Sequence, residues 1–325
     1  MNLLKDVSRS FYLTLRVLPA AIRRQIGLAY LLARTTDTIA DTELVSLEDR
    51  VGALRRLRER ILGATSAALD LSQLAQCQTS PAETVLLQRS EASVALLESL
   101  GAEDVLLVRR VIETICGGQE LDLLRFAGAS AKRIVALGTD EELEDYTFRV
   151  AGCVGEFWTR ICRRRLFPKA PVDEQLLLSN WVKFGKGLQL VNILRDLPVD
   201  LRNGRCYLPR AALEVCSLSP EDLLELSNEP RFRPVYNRLL ERAESYLHAG
   251  WAYTNALPWR QFRVRLACAW PILIGLETLR LLRVSNVLDA SRRIKVSRRQ
   301  VRRILSRSVL CCWRRRAWRS LVPEI

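Results

Sequence analysis

Two aspartate pairs dominate the chemistry open to this chain. Asp37 and Asp41 stand four residues apart in ARTTDTIADT, and Asp196 and Asp200 repeat that spacing in LQLVNILRDLPVDLRNGRCYLP. On a helix, residues four apart share one face, one turn from each other. Two carboxylates so placed repel unless a cation or an arginine lies between them. Asn192 stands one turn before Asp196, giving an N-x-x-x-D-x-x-x-D column. Carboxylates joined by an amide are hard oxygen ligands suited to Mg²⁺, which keeps several waters and bridges substrate phosphates. Arg34, Arg195, Arg202 and Arg205 stand beside the acids, and forked guanidinium donors match a diphosphate. Two plainer readings fit the same letters: an exposed acidic face at 37 and 41, and structural ion pairing between the aspartates and their arginines. The apolar neighbours Ala29, Leu31, Leu32, Ile39 and Ala40 weigh against the first. The recurrence of arginine-flanked pairs within apolar helices weighs against the second.

Other chemistries are excluded by composition. Histidine occurs once, at His248, and methionine only at Met1. That leaves no Ser-His-Asp or Cys-His relay and no histidine-rich metal site. The nine cysteines contain no CxxC pair and follow no regular spacing, a pattern expected of reduced thiols in a cytoplasmic protein. MNLLKDVSRSF lacks the apolar core of a signal peptide. No stretch reaches the roughly 18 uncharged apolar residues needed to span a bilayer. The best candidate, Leu266 to Leu276, is closed off by Arg265 and Glu277.

The elements that position these groups read as helices. Ile22, Ile26, Ala29, Tyr30 and Ala33 mark one face of a helix beginning just after Pro19. Segments 47–62, 83–99, 102–126, 141–162, 173–197, 234–256 and 261–283 show the same period, with Gly/Pro/Ser-rich breaks between. Helices follow one another without intervening strands, so the expected fold class is all-α. Pro198 is expected to end its helix near Leu197, which would set Asp200 on a turn. The 325 residues are 49% hydrophobic and 26% charged, as in a folded globular protein. With no low-complexity linker, one helical domain over 1–285 and a tail over 286–325 are expected.

That tail holds most of the charge. Residues 291–325 carry twelve Arg or Lys against one Glu, +11 of the chain's +14. Its arginines combine with Leu310, Trp313, Trp318 and Leu321 into a basic amphipathic segment. Anionic headgroups attract such a segment by about 1 kcal/mol per basic residue near the surface. Peripheral contact with an anionic membrane is therefore expected. A merely solvated charged end and nucleic-acid binding are the other readings of a basic aromatic tail, and nucleic acid is not the expected partner.

Four ordered segments then carry a resemblance: VSRSFYLTLRVLP (7–19), AYLLARTTDTIAD (29–41), YTFRVAGCVGEF (146–157) and LQLVNILRDLPVDLRNGRCYLP (188–209). The chain resembles the head-to-head prenyl synthases, the family of squalene, phytoene and dehydrosqualene synthases, over roughly residues 5–280. The run TNALPWRQFRVRLACAWPILIGLETLRLL looks more like bacterial squalene synthases than phytoene synthases. The resemblance implies a single-domain isoprenoid-synthase-type bundle around a central apolar cavity. It implies that Asp37, Asp41, Asn192, Asp196 and Asp200 hold Mg²⁺, with Asp37 and Asp196 central to catalysis. Ser8, Arg9, Phe11, Tyr30, Arg34, Gln189, Arg205 and Tyr207 match residues around the diphosphates, and Tyr146 matches a tyrosine assigned to proton or cation handling. The reaction implied joins two farnesyl diphosphates through a cyclopropyl (presqualene) diphosphate to squalene, with NADPH as reductant. Geranylgeranyl diphosphate as donor, products made without NADPH, and a non-catalytic assembly protein are the alternatives. Val199 stands where the family usually has an acid, and Pro198 lies inside the motif. Gly152 and Gly155 fit either a helix thinned for a passing isoprenoid or close helix packing. Phe148, Phe157, Leu188 and Val191 are candidate apolar walls.

Overall fold

A computed structural model describes residues 2–8 and 11–322 of the chain. It bears out the helical reading, and by contact density it divides into two units, Met1–Ala127 with Glu156–Ala170, and Gly128–Gly155 with Pro171–Ile325.

The first unit contains α1 (Asn2–Ser8), α2 (Phe11–Val17), α3 (Ala20–Asp41), α4 (Leu47–Leu62), α5 (Ser72–Gln76), α6 (Pro81–Gln88), α7 (Ser90–Glu98) and α8 (Ala102–Arg125). Helix α3 starts directly after Pro19, whose fixed φ and missing N–H suit a helix entry. Its buried stripe of Ile22, Ile26, Ala29, Leu32 and Ile39 packs on α4, α7 and α8. Helix α4 is stopped at both ends by local chemistry. The Ser46 hydroxyl accepts from the Asp49 amide at 3.1 Å, and Gly63 closes the other end at φ +80°, a left-handed conformation that costs glycine little. The helix expected over 83–99 is two helices, broken at Arg89, where φ −99° and ψ 12° leave the helical range.

The second unit contains β1 (Val135–Leu137), α9 (Asp140–Thr147), a π-helical turn over Phe148–Gly152, the start of α10 (Cys153–Leu166), α11 (Glu174–Arg202), β2 (Arg205–Pro209), α12 (Arg210–Glu214), α13 (Glu229–Ala256), α14 (Phe262–Arg283), α15 (Arg298–Cys311) and α16 (Arg315–Arg319). Strands β1 and β2 pair in parallel, Val135 opposite Arg205 and Ala136 opposite Cys206. The expectation of no strands is thus corrected locally. Three and five residues are too few to display the alternation by which a strand is read.

Helix α11 corrects a second expectation. It runs unbroken through Pro198 to Arg202. Proline removes the N–H that would bond the carbonyl four residues back, and here that carbonyl belongs to Leu194. The Tyr236 hydroxyl on α13 donates to the Leu194 carbonyl at 2.9 Å, so the group orphaned by proline is satisfied by a side chain. Asp200 therefore stays on the helix, a full turn beyond Asp196.

The basic tail is half core. Helix α15 packs on α14 and begins with a capping box between Ser297 and Gln300. Trp318 is 0% exposed. Its ring stacks on Trp251 at 5.2 Å, and its Nε1 donates to Asn255 Oδ1 at 3.0 Å. The Arg265 guanidinium is held between the rings of Trp259, at 3.5 Å, and Trp318, at 4.2 Å. The amphipathic reading of the tail therefore loses Trp318 as an outward group. Among the described residues no helix is long and apolar enough to cross a membrane.

Candidate active site

In the first unit, α3 carries Tyr30, Arg34, Asp37 and Asp41 along one stripe. Arg34 lies 3.7 Å from Asp37 and donates to Glu83 on α6 at 2.5 Å. Burial opposes the Arg34 charge, and Asp37 with Glu83 outweighs it, so its pKa is raised. Gln119 on α8 donates to Asp37. Loss of bulk solvent around Asp37, then the charge of Asp41, pushes the Asp37 carboxyl up to about 7 against the pull of Arg34 and Gln119. Asp41 and Arg34 line a cavity of about 420 Å³ together with Thr38, Thr42, Gln78 and Glu83. Helix α1 is tied to this stripe, because the Tyr30 hydroxyl donates to the Val7 carbonyl at 3.3 Å. Ser8 is buried and donates to the Leu4 carbonyl. Arg9 lies outside the described residues, as does the side chain of Phe11.

In the second unit, Gln189, Asn192, Asp196 and Asp200 follow one another along α11. Arg195 grips Asp196 through both carboxylate oxygens, Nε to Oδ1 at 2.9 Å and Nη2 to Oδ2. That bond, followed by the charges of Asp196 and Asp200, raises the Arg195 pKa despite partial burial. Tyr146 on α9 accepts from Gln189 Nε2 at 3.4 Å, and its ring stacks on Tyr207 of β2 at 4.7 Å. Three expected residues from three elements thus converge. Arg205 opens β2, half-buried, opposite Val135.

The π turn after α9 lets α11 pass close. A Cβ on Gly155 would stand 2.4 Å from the Trp181 carbonyl oxygen, and one on Gly185 2.4 Å from the Ala151 carbonyl oxygen. Close packing is the role the contacts give Gly155. Of the candidate walls, Phe157 and Val191 are buried, whereas Phe148 and Leu188 are half-buried.

Gln119 and Arg195 hold expected aspartates and Glu83 holds Arg34, and only Arg195 stood near its partner in sequence. Beside Tyr146, Glu144 pairs with Lys186 and accepts from the Tyr246 hydroxyl at 2.9 Å. Burial, then Glu144, pushes that hydroxyl up to about 12. Contacts spanning 49 to 102 residues leave no spacing signal in one sequence.

The donors fit Mg²⁺. Each pair offers hard oxygens on one helix face, and Asp37 carries a charge conflict with Asp41 that a divalent cation would relieve. Among the described residues no three His, Cys, Asp or Glu side chains converge on one point. Mg²⁺ bound by one or two carboxylates takes its remaining ligands from water and substrate phosphates.

The fold is helical, and each of its two units carries one arginine-attended carboxylate pair on a helix face. The squalene/phytoene synthase family model matches residues 4–300, and the chain belongs to that family, whose members are prenyltransferase-type enzymes. It is 30% identical over 242 residues to the presqualene diphosphate synthase of Zymomonas mobilis, covering 74% of this chain and 70% of the relative. It is 28% identical over 246 residues to the bifunctional lycopene cyclase/phytoene synthase of Gibberella fujikuroi, covering 74% of this chain. The chain spans about half or less of such fungal bifunctional relatives, 40% of that one. A squalene synthase, TcSQS, solved with a ligand, shares the fold at a TM-score of 0.76 and 21% identity, covering 98% of this chain and 88% of the other.

Proposed function

We propose that the chain condenses two farnesyl diphosphates head to head through presqualene diphosphate to squalene, with Mg²⁺ and NADPH, at the surface of an anionic membrane. The observation that supports it best is the intact pair of carboxylate stripes, each attended by an arginine. Asp37 and Asp41, and Asp196 and Asp200 with Asn192, would hold the metal. Bound Mg²⁺ supplies charge to the departing diphosphate. Arg34 and Arg195 would take up diphosphate oxygens once their carboxylates turned to the metal. An allylic cation formed on ionisation is quenched by water, so the apolar residues about the site must exclude it. Tyr146, bonded to Gln189 and stacked on Tyr207, would use its hydroxyl in proton or cation handling. The Zymomonas relative, a presqualene diphosphate synthase, favours a second reading in which the chain stops at the cyclopropyl diphosphate.

The test incubates purified protein with Mg²⁺ and farnesyl diphosphate, with and without NADPH, and identifies products by mass spectrometry. Squalene formed only with NADPH is expected. Presqualene diphosphate in both arms would establish the second reading. No consumption of farnesyl or geranylgeranyl diphosphate would refute both.

A further inference from the structure

All twelve basic residues between 291 and 325 are exposed, and none forms an ion pair with a carboxylate among the described residues. A solvated end of chain would be expected to scatter them; the fold does not. Helix α15 turns Ser308 inward, where its Oγ accepts from Trp270 Nε1 at 2.9 Å. Val296 and Cys312, which bracket the helix, are buried. The opposite side of α15 carries Arg299, Arg303, Ser306 and Leu310, spaced by four, three and four residues and so aligned on one face. Leu310 is 77% exposed, and Trp313, three residues on, is 65% exposed. The Trp313 ring is propped from below by Phe262 at 4.7 Å. Large apolar side chains at this exposure, among arginines that form no ion pair with the described carboxylates, present their outer surfaces to solvent.

We infer that Leu310 and Trp313, framed by the arginines of α15 and of the 314–319 segment, form a rigid docking face for an anionic lipid bilayer. This deepens the membrane reading above and rests on it. The geometry favours a bilayer over a nucleic acid. The phosphates of either would satisfy the arginines, but only a bilayer has an acyl boundary to receive a leucine and an indole. The face is preformed, because Trp318, Trp251 and the enclosed Arg265 fix the segment behind it. It does not need to fold on the lipid, unlike an unstructured basic tail. Deleting the segment would open that core, so point variants of the outer face are the proper probe.

The experiment uses the full chain and sedimentation with vesicles of phosphatidylcholine alone or mixed with phosphatidylglycerol. Wild type is expected to bind the anionic vesicles about tenfold more tightly than the neutral ones. Leu310→Ser/Trp313→Ser is expected to lower anionic-vesicle binding by about tenfold with an unchanged urea midpoint. Arg299→Glu/Arg303→Glu should lower it further and weaken its salt dependence. Full binding by the Leu310/Trp313 variant, with loss in the charge variant, would overturn this face and leave the broader membrane reading standing. No binding by wild type would overturn both. Preferential binding of wild type to a 30-base-pair duplex over anionic vesicles would also overturn the proposal and assign the arginines to nucleic acid.

Discussion

Gly185→Ala tests the close crossing on which the Tyr146 arrangement depends. The new Cβ would meet the Ala151 oxygen at 2.4 Å, the Ala151 carbonyl carbon at 2.9 Å and Gly152 Cα at 3.0 Å. All three are backbone atoms and cannot rotate aside. Restoring ordinary contact requires α11 and the π turn to separate by about 0.9 Å, and strain of this kind in a packed interior costs about 1–3 kcal/mol. Alanine regains up to about 1 kcal/mol of helix propensity over glycine, so the net loss is about 1–2 kcal/mol. The same substitution at Gly52, where the nearest atom is the mobile Arg56 Nη1 at 3.3 Å, should instead stabilise α4 by up to about 1 kcal/mol. Urea denaturation with an unchanged slope reads both. Because Gln189 lies one turn from Gly185 on α11 and bonds Tyr146, the shift should also lower turnover, by as much as about 100-fold for a displacement near 1 Å. A Gly185→Ala protein as stable and as active as wild type would refute the reasoning.

Asp37→Asn should abolish turnover while stabilising the metal-free protein in alkaline solution. The native carboxyl titrates near 7 and an unfolded one near 3.9, so the stability this raised pKa confers is complete below about pH 4 and is lost as pH rises through 7. Three units correspond to about 4 kcal/mol, but with 47% of the side chain exposed about 1–2 kcal/mol is the discounted expectation. Denaturation in chelator should show wild type and variant equal near pH 4 and the variant ahead at pH 8.5; a gap independent of pH would contradict it. Asp196→Asn should also stop turnover, with a stability change under about 1 kcal/mol, since its pair with Arg195 is about a third exposed; retained activity would remove Asp196 from the site. Trp318→Ala should cost about 3–5 kcal/mol and Trp313→Ala far less, read by denaturant midpoints. Equal losses would mean that Trp318 is not the buried anchor.

The helical fold was legible because the apolar period is strong in α3, α4 and α8, and because Ser46 and Gly63 punctuate α4 with ordinary capping chemistry. The carboxylate stripes were legible because i, i+4 spacing is a property of one helix. What failed were inferences whose answer lay on another element. Pro198 looked like a helix end until Tyr236, 38 residues later, appeared at the orphaned carbonyl. Strand β2 was hidden because its pairing partner is β1, some 70 residues earlier. Trp318 and Trp313 read alike in a basic tail, and only packing separates the buried ring from the exposed one. Glu83 and Gln119 were missed for the same reason.

The enclosure of Trp318 also sets an order on synthesis. Every residue of the first unit has been made by Ala170, whereas the core of the second is incomplete until Trp318. Arg265 is made 53 residues before Trp318, an interval of roughly 3–11 s at about 5–20 residues per second. Throughout it Trp251 and the face of Arg265 turned away from Trp259 lack the Trp318 indole, so the second unit passes that interval with an open aromatic seam. A chaperone that binds exposed apolar surface would find it there, and release would coincide with closure of the seam by the tail.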